Sequence, residues 1–260
     1  MESRLIMQIK FENKVVLVTG SSRGIGAAVA SKFAENGAAV VIHYAKNEDK
    51  ALKTYQNLPG SGHLLMQADM AEPAAVKAMF EEVMAKMGRI DILVNNAGIY
   101  EETRWWEMDY EAWQRHWHKT IDSNLTGMAN LSFLVAKQMI GQGGGKIINV
   151  SSRGAFRGEP HALPYGAGKA AMNSFGQSMA WALADKNIQV YTVAPGWVDT
   201  DMTHEILESE RGKAVAAQSP MNRVARPEEL AHAILLLASE GTEYMTGCIL
   251  DMNGASYLRS

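Results

Sequence analysis

The chain has 260 residues, 47% of them hydrophobic and 20% charged, which is the composition of a soluble globular protein with a sizeable core. Its net charge of -3 and isoelectric point of about 6.2 give no electrostatic basis for binding nucleic acid or an anionic membrane. The one cysteine, Cys248, excludes an internal disulfide, and its apolar neighbours predict a small buried side chain rather than a nucleophile.

The sequence carries no signal for export or membrane insertion. The N-terminal stretch MESRLIMQIK is too charged, and its apolar run too short, to predict a secretion signal. No segment approaches the roughly 18 uninterrupted apolar residues of a membrane span. We therefore expect a cytoplasmic protein that contacts neither membranes nor nucleic acid.

Strand-like and helix-like segments alternate along the chain. The continuous β-branched run KVVLV (14–18) predicts a strand buried on both faces, and further strands are predicted at 39–43, 63–67, 91–94, 146–150, 189–193 and 248–252. Helical patterns bounded by glycine or proline predict helices at about 25–36, 48–58, 73–87, 111–140, 165–186 and 227–239. Strands joined by helical crossovers indicate an α/β fold: one doubly wound Rossmann domain over residues 1–260, with a seven-stranded parallel sheet and helices on both faces.

The first strand runs directly into a glycine-rich turn, VTGSSRGIG, which contains Gly20, Gly24 and Gly26. Glycines at such a turn allow a tight bend, a close approach of backbone to a pyrophosphate, and close packing of helix on strand. The N-terminus of the following helix then offers free N–H groups to the phosphates. A glycine turn between a buried strand and a helix therefore predicts a dinucleotide site.

The end of the second strand indicates which dinucleotide binds. NAD-selective sites place a carboxylate there for the ribose 2′-hydroxyl, but this chain reads His43-Tyr44-Ala45-Lys46, and no acid occurs before Glu48. Arg23 and Lys46 could pair with a 2′-phosphate, although either could instead be a solvated surface charge. This pattern favours NADP(H) over NAD(H).

Tyr165 and Lys169 lie four residues apart near the start of a predicted helix, so they share one face of it. Alone, such a pair would be ordinary surface of an amphipathic helix. Here the motifs TGSSRGIG (19–26), NNAG (95–98), the Ser152, Tyr165 and Lys169 spacing, and Pro195-Gly196 each follow a predicted strand, in that order. Their combination resembles the short-chain dehydrogenase/reductase family over nearly the whole chain, and is most similar to its 3-oxoacyl-(acyl-carrier-protein) reductases.

The resemblance implies a catalytic set of four residues. Tyr165 would be the general acid/base, and the Lys169 ammonium would lower its pKa and bind the nicotinamide ribose. Ser152, rather than its neighbour Ser151, would hydrogen-bond the substrate carbonyl. Asn124 would hold a water that relays protons to Lys169. The reaction implied is hydride transfer between a carbonyl compound and a secondary alcohol, with a 3-oxoacyl thioester as the expected substrate.

The resemblance also implies the cofactor contacts. Asp69 would lie at the adenine, or would instead cap the helix that begins at Pro73, and Asn95 would lie on the adenosine side. The expected contacts are Gly20, Ser22, Arg23, Gly24, Ile25, Gly26, Tyr44, Lys46, Asp69, Met70, Asn96, Ala97, Gly98, Tyr165, Lys169, Pro195, Gly196, Val198 and Thr200.

Other segments have more than one interpretation. Residues at about 200–222 are expected to form a lid over the substrate. The tryptophans Trp105, Trp106, Trp113 and Trp117 could stack on a flat substrate, join the core or form a subunit interface. His116 and His118, two apart on a helix, point in different directions, so no metal site is predicted.

The expected partners are a small carbonyl or alcohol substrate and further copies of this chain. Family resemblance implies a homotetramer built on the 111–140 and 165–186 helices. Docking of an acyl carrier protein is doubtful, because residues 139–145 carry no basic side chain and Trp181 stands where a base is common. Small ketones, sugars and polyols are alternative substrates. A catalytically silent dinucleotide sensor is the alternative of another class.

Overall fold

In the computed structural model, which describes residues 9–259, the strands form one parallel sheet. The strands are β1 (Val15–Val18), β2 (Ala39–Tyr44), β3 (Leu64–Gln67), β4 (Ile92–Asn95), β5 (Gly145–Val150), β6 (Ile188–Pro195) and β7 (Ile249–Met252). Their order across the sheet is β3-β2-β1-β4-β5-β6-β7. The predicted seven-stranded doubly wound fold is therefore confirmed.

Ten α-helices connect the strands within the described residues. They are α1 (Gly24–Glu35), α2 (Glu48–Gln56), α3 (Pro73–Met87), α4 (Tyr110–Ile121), α5 (Gly127–Gln142), α6 (Gly154–Arg157), α7 (Leu163–Leu183), α8 (His204–Glu208), α9 (Arg211–Ala216) and α10 (Pro227–Ala238). No helix in this part of the chain is long and apolar enough to cross a membrane. The N-terminal residues 1–8, where no secretion signal is predicted, lie outside the described residues.

Two apolar clusters, one on each face, cover the sheet. Val16 and Val18 of β1 pack on one side with Phe33 of α1, while Leu17 packs on the other with Leu131 of α5. Strands buried on both sides need apolar residues at every position, which explains the uninterrupted β-branched runs. Cys248 packs against the first cluster as a partly buried side chain, so it is less buried than its apolar neighbours predict.

The predicted helix at 111–140 is observed as α4 and α5. A π-helical turn, Asp122–Thr126, joins them into one continuous helix. Periodicity alone does not reveal such a turn, because it adds one residue to a single helical turn. The lid segment, expected as a long loop, contains the two short helices α8 and α9.

The strand order reverses between β1 and β4, which lie side by side although β2 and β3 separate them in sequence. In doubly wound sheets, ligands bind at such a switch point, beyond the carboxyl ends of the strands. The residues that follow β1, β2, β3, β4, β5 and β6 therefore meet at one edge of the sheet.

Candidate active site

A cavity of about 510 Å³ lies at this edge of the sheet, a size typical of small-molecule sites. Every predicted catalytic or cofactor residue lines it except Gly26, Asn95 and Asn124. The predicted residues that line it are Gly20, Ser22, Arg23, Gly24, Ile25, Tyr44, Lys46, Asp69, Met70, Asn96, Ala97, Gly98, Ser152, Tyr165, Lys169, Pro195, Gly196, Val198 and Thr200. Asn95 does not line the cavity.

The glycine turn has the geometry that its sequence predicts. Gly20 and Gly24 have φ values of 63° and 56°, in the left-handed region that favours glycine. Gly26 does not reach the cavity because it packs beneath the turn, where a Cβ atom would lie 2.3 Å from the Gly20 carbonyl oxygen. Its role is therefore the close packing of α1 against β1.

The end of β4 holds the same turn from the other side. The Asn96 amide Nδ2 donates to the carbonyl oxygens of Thr19 and Gly20, at 2.9 and 3.0 Å. The Thr19 hydroxyl in turn accepts from the backbone N–H groups of Asn96 and Ala97. Asn95 points into the core instead, where its Nδ2 donates to Ser132 and Asn149. Its expected place on the adenosine side is therefore wrong.

His43, at the end of β2, is a third support of the turn and was missed by the sequence interpretation. Its Nδ1 accepts from the Gly20 N–H at 2.9 Å, and its Nε2 lies 3.0 Å from the Ala68 carbonyl oxygen. Only a neutral ring, with the proton on Nε2, makes both bonds. Burial lowers the pKa of His43 to about 4, so the ring is neutral at physiological pH.

The N-terminus of α1 fits a phosphate-bearing ligand. No side chain caps this helix, and its first turn contains no acidic residue. Its leading N–H groups therefore face the cavity without a protein partner, together with the positive end of the helix dipole. A nicotinamide dinucleotide fits the residues present, with its pyrophosphate at this turn.

Two cations beside the turn share one carboxylate. Arg23 Nη1 lies 3.3 Å from Asp201 Oδ2, and Lys50 Nζ bonds to the same oxygen. Lys50 is the larger cause of the lowered pKa of Asp201, and Arg23 adds to it. Lys50 and Asp201 were not predicted, since α2 and the lid approach each other only in the folded chain. The two cations and one anion sum to +1 beside the turn, while Glu48 contacts the Tyr44 side chain.

Asp69 and Met70, at the end of β3, both line the cavity. Asp69 Oδ1 accepts from the Ala71 N–H at 3.0 Å, within the turn before α3. The residue at the cap position of α3 is Glu72, so the alternative interpretation of Asp69 as the helix cap is wrong.

Tyr165 and Lys169 lie on one face of α7 as their spacing predicts, but not as a phenol–ammonium pair. Lys169 is buried, its Nζ donates to the Val150 carbonyl oxygen at 2.7 Å, and it lies 5.8 Å from the centre of the Tyr165 ring. Burial lowers the pKa of Lys169 to about 8. Burial also raises the pKa of Tyr165 to about 12, although the Ser152 hydroxyl acts in the opposite direction.

The expectation that Lys169 lowers the Tyr165 pKa therefore fails in the protein alone. The physical reason is that withdrawal of both groups from water disfavours the charged form of each. Glu159 adds to the effect, because its negative charge also disfavours a phenolate at Tyr165.

The two adjacent serines differ in what their hydroxyls contact. Ser151 Oγ donates to the Lys169 carbonyl oxygen at 3.2 Å and so fixes α7 to the end of β5. Ser152 Oγ accepts from the Gly154 N–H at 3.0 Å, which leaves its own proton to donate into the cavity. This arrangement agrees with the choice of Ser152 over Ser151.

Asn124 is fully buried in the π-helical turn. Its Oδ1 accepts from the Ile99 N–H at 2.8 Å, and its Nδ2 donates to the Ile99 carbonyl oxygen at 2.9 Å. Both ends of the side chain are thus occupied by the loop after β4. The structure gives the Asn124 side chain a role in positioning this loop, and the expected water relay to Lys169 stays a prediction.

An aromatic and ionic chain links Tyr165 to the lid. The Tyr100 ring meets the Tyr165 ring edge to face, with centroids 5.0 Å apart, and its hydroxyl donates to Glu102 at 2.9 Å. Glu102 forms a two-point ion pair with Arg211 of α9, at 2.9 and 3.1 Å. Tyr100 and Trp197 both line the cavity and give it an aromatic wall.

The predicted tryptophan cluster is two separate pairs, Trp105 with Trp106 and Trp113 with Trp117. None of the four lines the cavity. Trp105 and Trp106 are 41% and 54% exposed, and Trp105 Nε1 donates to the Pro160 carbonyl oxygen at 3.1 Å. The first pair therefore joins the loop after β4 to the loop before α7.

The segment after β6 continues the cavity wall. The Gly196 N–H donates to the Met252 carbonyl oxygen at 3.1 Å, which holds this segment to the end of β7. A Cβ atom on Gly196 would lie 3.0 Å from the Asn253 Cα atom. The Thr203 hydroxyl then closes the turn that leads into the lid by donating to the Val198 carbonyl oxygen at 2.5 Å.

A buried cation and a buried acid also line the cavity. Arg153 follows Ser152 directly and is 3% exposed. Burial lowers its pKa to about 10, so the guanidinium stays charged at neutral pH. Glu159 lies over Gly154 and forms an ion pair with Arg157, at 3.6 Å from Nε to Oε1. Neither Arg153 nor Glu159 was predicted as a site residue.

Comparison with known proteins agrees with this geometry. A family model described as enoyl-(acyl carrier protein) reductase matches residues 20–254. The chain therefore belongs to the short-chain dehydrogenase/reductase family, as its motifs predict, and is an oxidoreductase acting on alcohol or carbonyl groups. Members of this family use a nicotinamide dinucleotide.

Individual relatives differ in substrate. A 3alpha-hydroxysteroid dehydrogenase from Mediterraneibacter gnavus is 41% identical, covering 96% of this chain and 99% of the relative. A 3-oxoacyl-(acyl-carrier-protein) reductase from Escherichia coli strain K12 is 36% identical, covering 96% and 100%. The crystal structure of a proposed gluconate dehydrogenase from Agrobacterium tumefaciens superimposes with a TM-score of 0.88 at 29% identity, covering 96% and 98%.

Proposed function

We propose that the protein is an NADP(H)-dependent oxidoreductase that interconverts a carbonyl compound and a secondary alcohol. The observation that carries this proposal is the presence of Ser152, Tyr165 and Lys169 in one cavity that also reaches the uncapped N-terminus of α1. A proton-transfer group and a phosphate-binding turn in one cavity suit hydride transfer to or from a bound dinucleotide.

Each catalytic residue has a role that follows from its contacts. The dinucleotide, when bound, supplies or accepts the hydride. Tyr165 holds the proton that goes to the substrate oxygen on reduction, and its pKa of about 12 keeps it protonated at neutral pH. Ser152 donates a hydrogen bond to the same oxygen and stabilises its developing charge. Lys169, fixed by its bond to Val150, keeps two N–H groups for the cofactor ribose.

The preference for NADP(H) is supported by the excess positive charge around Arg23 and Lys50 and by the absence of an acid within residues 43–47. A 2′-phosphate would compete with Asp201 for these two cations. We expect Arg23→Gln to lower the kcat/KM ratio of NADPH to NADH about tenfold, the effect of losing one charge-assisted hydrogen bond. Lys53→Gln, an equal charge change on the exposed side of α2, is the matched control.

The expected substrate is a 3-oxoacyl thioester, more suitably a coenzyme A than a carrier-protein thioester. A second candidate is a 3-oxosteroid, which the apolar and aromatic lining at Ile99, Tyr100, Trp197 and Met202 favours. The steroid activity of one relative is the other support for this candidate. Small ketones, sugars and polyols complete the set of alternatives.

The deciding experiment is cofactor consumption by the purified protein over a panel of compounds. The panel contains acetoacetyl-CoA, 3-oxoacyl carrier protein, a 3-oxosteroid, small diketones, sugars and crotonyl-CoA, which tests the enoyl activity in the family description. Carbonyl turnover that is lost in Tyr165→Phe supports the proposal. Turnover that survives in Tyr165→Phe contradicts the mechanism, and dinucleotide binding without any turnover favours a sensor.

Assembly, the lid and location are part of the same proposal. We expect a homotetramer, which is supported by exposed apolar side chains on α5 and α7, Phe133 at 59% and Trp181 at 90% exposure. Met172 is fully buried and belongs to the core. The lid at about 200–222 would close on the substrate from α8 and α9. A stable monomer in analytical ultracentrifugation would contradict the tetramer, and cell fractionation tests the proposed cytoplasmic location.

A further inference from the structure

We propose that Arg153 binds an anionic group of the substrate, so that the carbonyl compounds this protein reduces are oxo acids. The inference rests on the proposed oxidoreductase function, but it replaces the 3-oxoacyl thioester and the neutral 3-oxosteroid by oxo acids as the expected substrates.

The first observation is the position of the residue. Arg153 follows Ser152 in the chain and lines the same cavity as Ser152 and Tyr165. Its backbone N–H donates to the Pro195 carbonyl oxygen at 2.8 Å, so the residue is fixed between the ends of β5 and β6. A substrate held at Ser152 therefore lies in the cavity that Arg153 also lines.

The second observation is a buried charge without a counter-ion. Arg153 is 3% exposed, yet its guanidinium forms no ion pair within residues 9–259. The acid in the same cavity, Glu159, is already paired with Arg157. Arg153, Arg157 and Glu159 together carry a charge of +1. A buried cation without a counter-ion costs free energy unless a bound anion neutralises it.

The third observation is that neutral groups hold the guanidinium in place. Nη1 donates to Ser256 Oγ at 2.5 Å, and Nη2 donates to the Gln218 amide oxygen. These two bonds use two of its five N–H groups. The other N–H groups of the planar fork have no hydrogen-bond partner within residues 9–259, and a guanidinium binds a carboxylate at two points. An ionic partner from the protein would instead have neutralised the site.

The test compares ketones that carry a carboxylate with their uncharged esters. Pyruvate, acetoacetate and levulinate place the carboxylate at increasing distances from the ketone, and each has a methyl ester. For at least one pair, we expect the wild-type kcat/KM to favour the acid. Arg153→Gln should lower that acid-to-ester ratio about 10- to 100-fold, as expected for lost hydrogen bonds to a charged group.

Two further variants make the result specific. Arg153→Lys retains the charge but not the fork, so it should keep part of the preference. Arg115→Gln makes the same charge change on the exposed face of α4, away from the cavity, so the wild-type ratio should persist. An equal loss in Arg115→Gln would show a general effect of positive potential and would overturn the inference.

The outcomes separate this inference from the proposed function. Turnover of the esters without preference for any acid overturns the role of Arg153 but leaves the oxidoreductase intact. If no compound is turned over, titration calorimetry with the same three acids still decides the role of Arg153. Acid binding that Arg153→Gln abolishes supports the inference, and absence of acid binding to the wild type refutes it.

Discussion

The neutral state of His43 predicts how the stability of the protein depends on pH. The buried ring accepts a hydrogen bond from Gly20 at Nδ1, and protonation of Nδ1 would destroy that bond. The folded pKa is about 4, against 6.5 for the free side chain. Between these two values the unfolded chain binds more protons than the folded protein, so stability is fully present above about pH 6.5 and is lost as the pH falls towards 4.

The size of the effect follows from the same two values. From the linkage between proton binding and folding, the free energy of unfolding falls by roughly 3 kcal/mol in total once the pH is below 4. About 2 kcal/mol of this is lost between pH 7 and pH 5. His43→Asn removes this titration, while its Oδ1 can still accept from the Gly20 N–H. The variant loses the bond to Ala68, so we expect it to be less stable than wild type at pH 7 by about 1 to 3 kcal/mol.

Equilibrium urea unfolding at pH 7, 6 and 5 measures the free energy of unfolding of wild type and His43→Asn. All samples have the same protein concentration, because subunit assembly contributes to stability. The free energy of unfolding of wild type, relative to that of His43→Asn, should fall by about 2 kcal/mol between pH 7 and pH 5. His63→Asn is the matched control, since the His63 ring also accepts from a backbone N–H, at 3.1 Å from Val40, but near the surface. Parallel loss of stability in wild type and His43→Asn would refute the argument.

Three further predictions test the packing, the lid and the acid/base group. Gly26→Ala should destabilise the protein by about 1 to 3 kcal/mol and weaken dinucleotide binding in calorimetry, whereas Gly141→Ala, with open space at its Cβ, should do neither. Arg211→Gln removes the ion pair with Glu102, so amide hydrogens of the lid should exchange faster, as measured by mass spectrometry. Unchanged exchange would show that this ion pair does not hold the lid in place. The kcat/KM for alcohol oxidation should rise from pH 6 to pH 7.5, below the pKa of about 8 of Lys169, because Tyr165 of the free enzyme is protonated, and a flat profile would contradict that assignment.

The elements and motifs predicted from sequence are those that depend on local patterns. All seven strands appear within two residues of their predicted ends. An uninterrupted apolar run marks a strand buried on both faces, such as β1, whereas the edge strands β3 and β7 are partly exposed. The largest difference is β6, predicted at 189–193 and observed at Ile188–Pro195, since its pairing with β5 and β7 extends it at both ends. The glycine turn was predicted because its backbone angles and close packing require glycine itself.

Contacts between distant segments could not be predicted from local patterns. Arg23 and Asp201 are 178 positions apart, and Arg153 and Ser256 are 103 apart. His43 belongs to a strand whose apolar pattern gives no reason to single out one polar residue. In each case the decisive property is a hydrogen-bond partner that only the folded sheet brings close. Periodicity, which reports one element at a time, does not contain that information.

The states of Tyr165 and Lys169 show how burial changes an interpretation based on charge. Helical spacing alone suggests a phenolate stabilised by an ammonium, but burial raises the pKa of Tyr165 and lowers that of Lys169. Both shifts favour the neutral forms, so the protein by itself disfavours the charged pair. A positive charge held close to the phenol, as an oxidised nicotinamide ring carries, would oppose the effect of burial on Tyr165. The kcat profile, which reports the complex, should therefore reach its plateau at lower pH than the kcat/KM profile of the free enzyme.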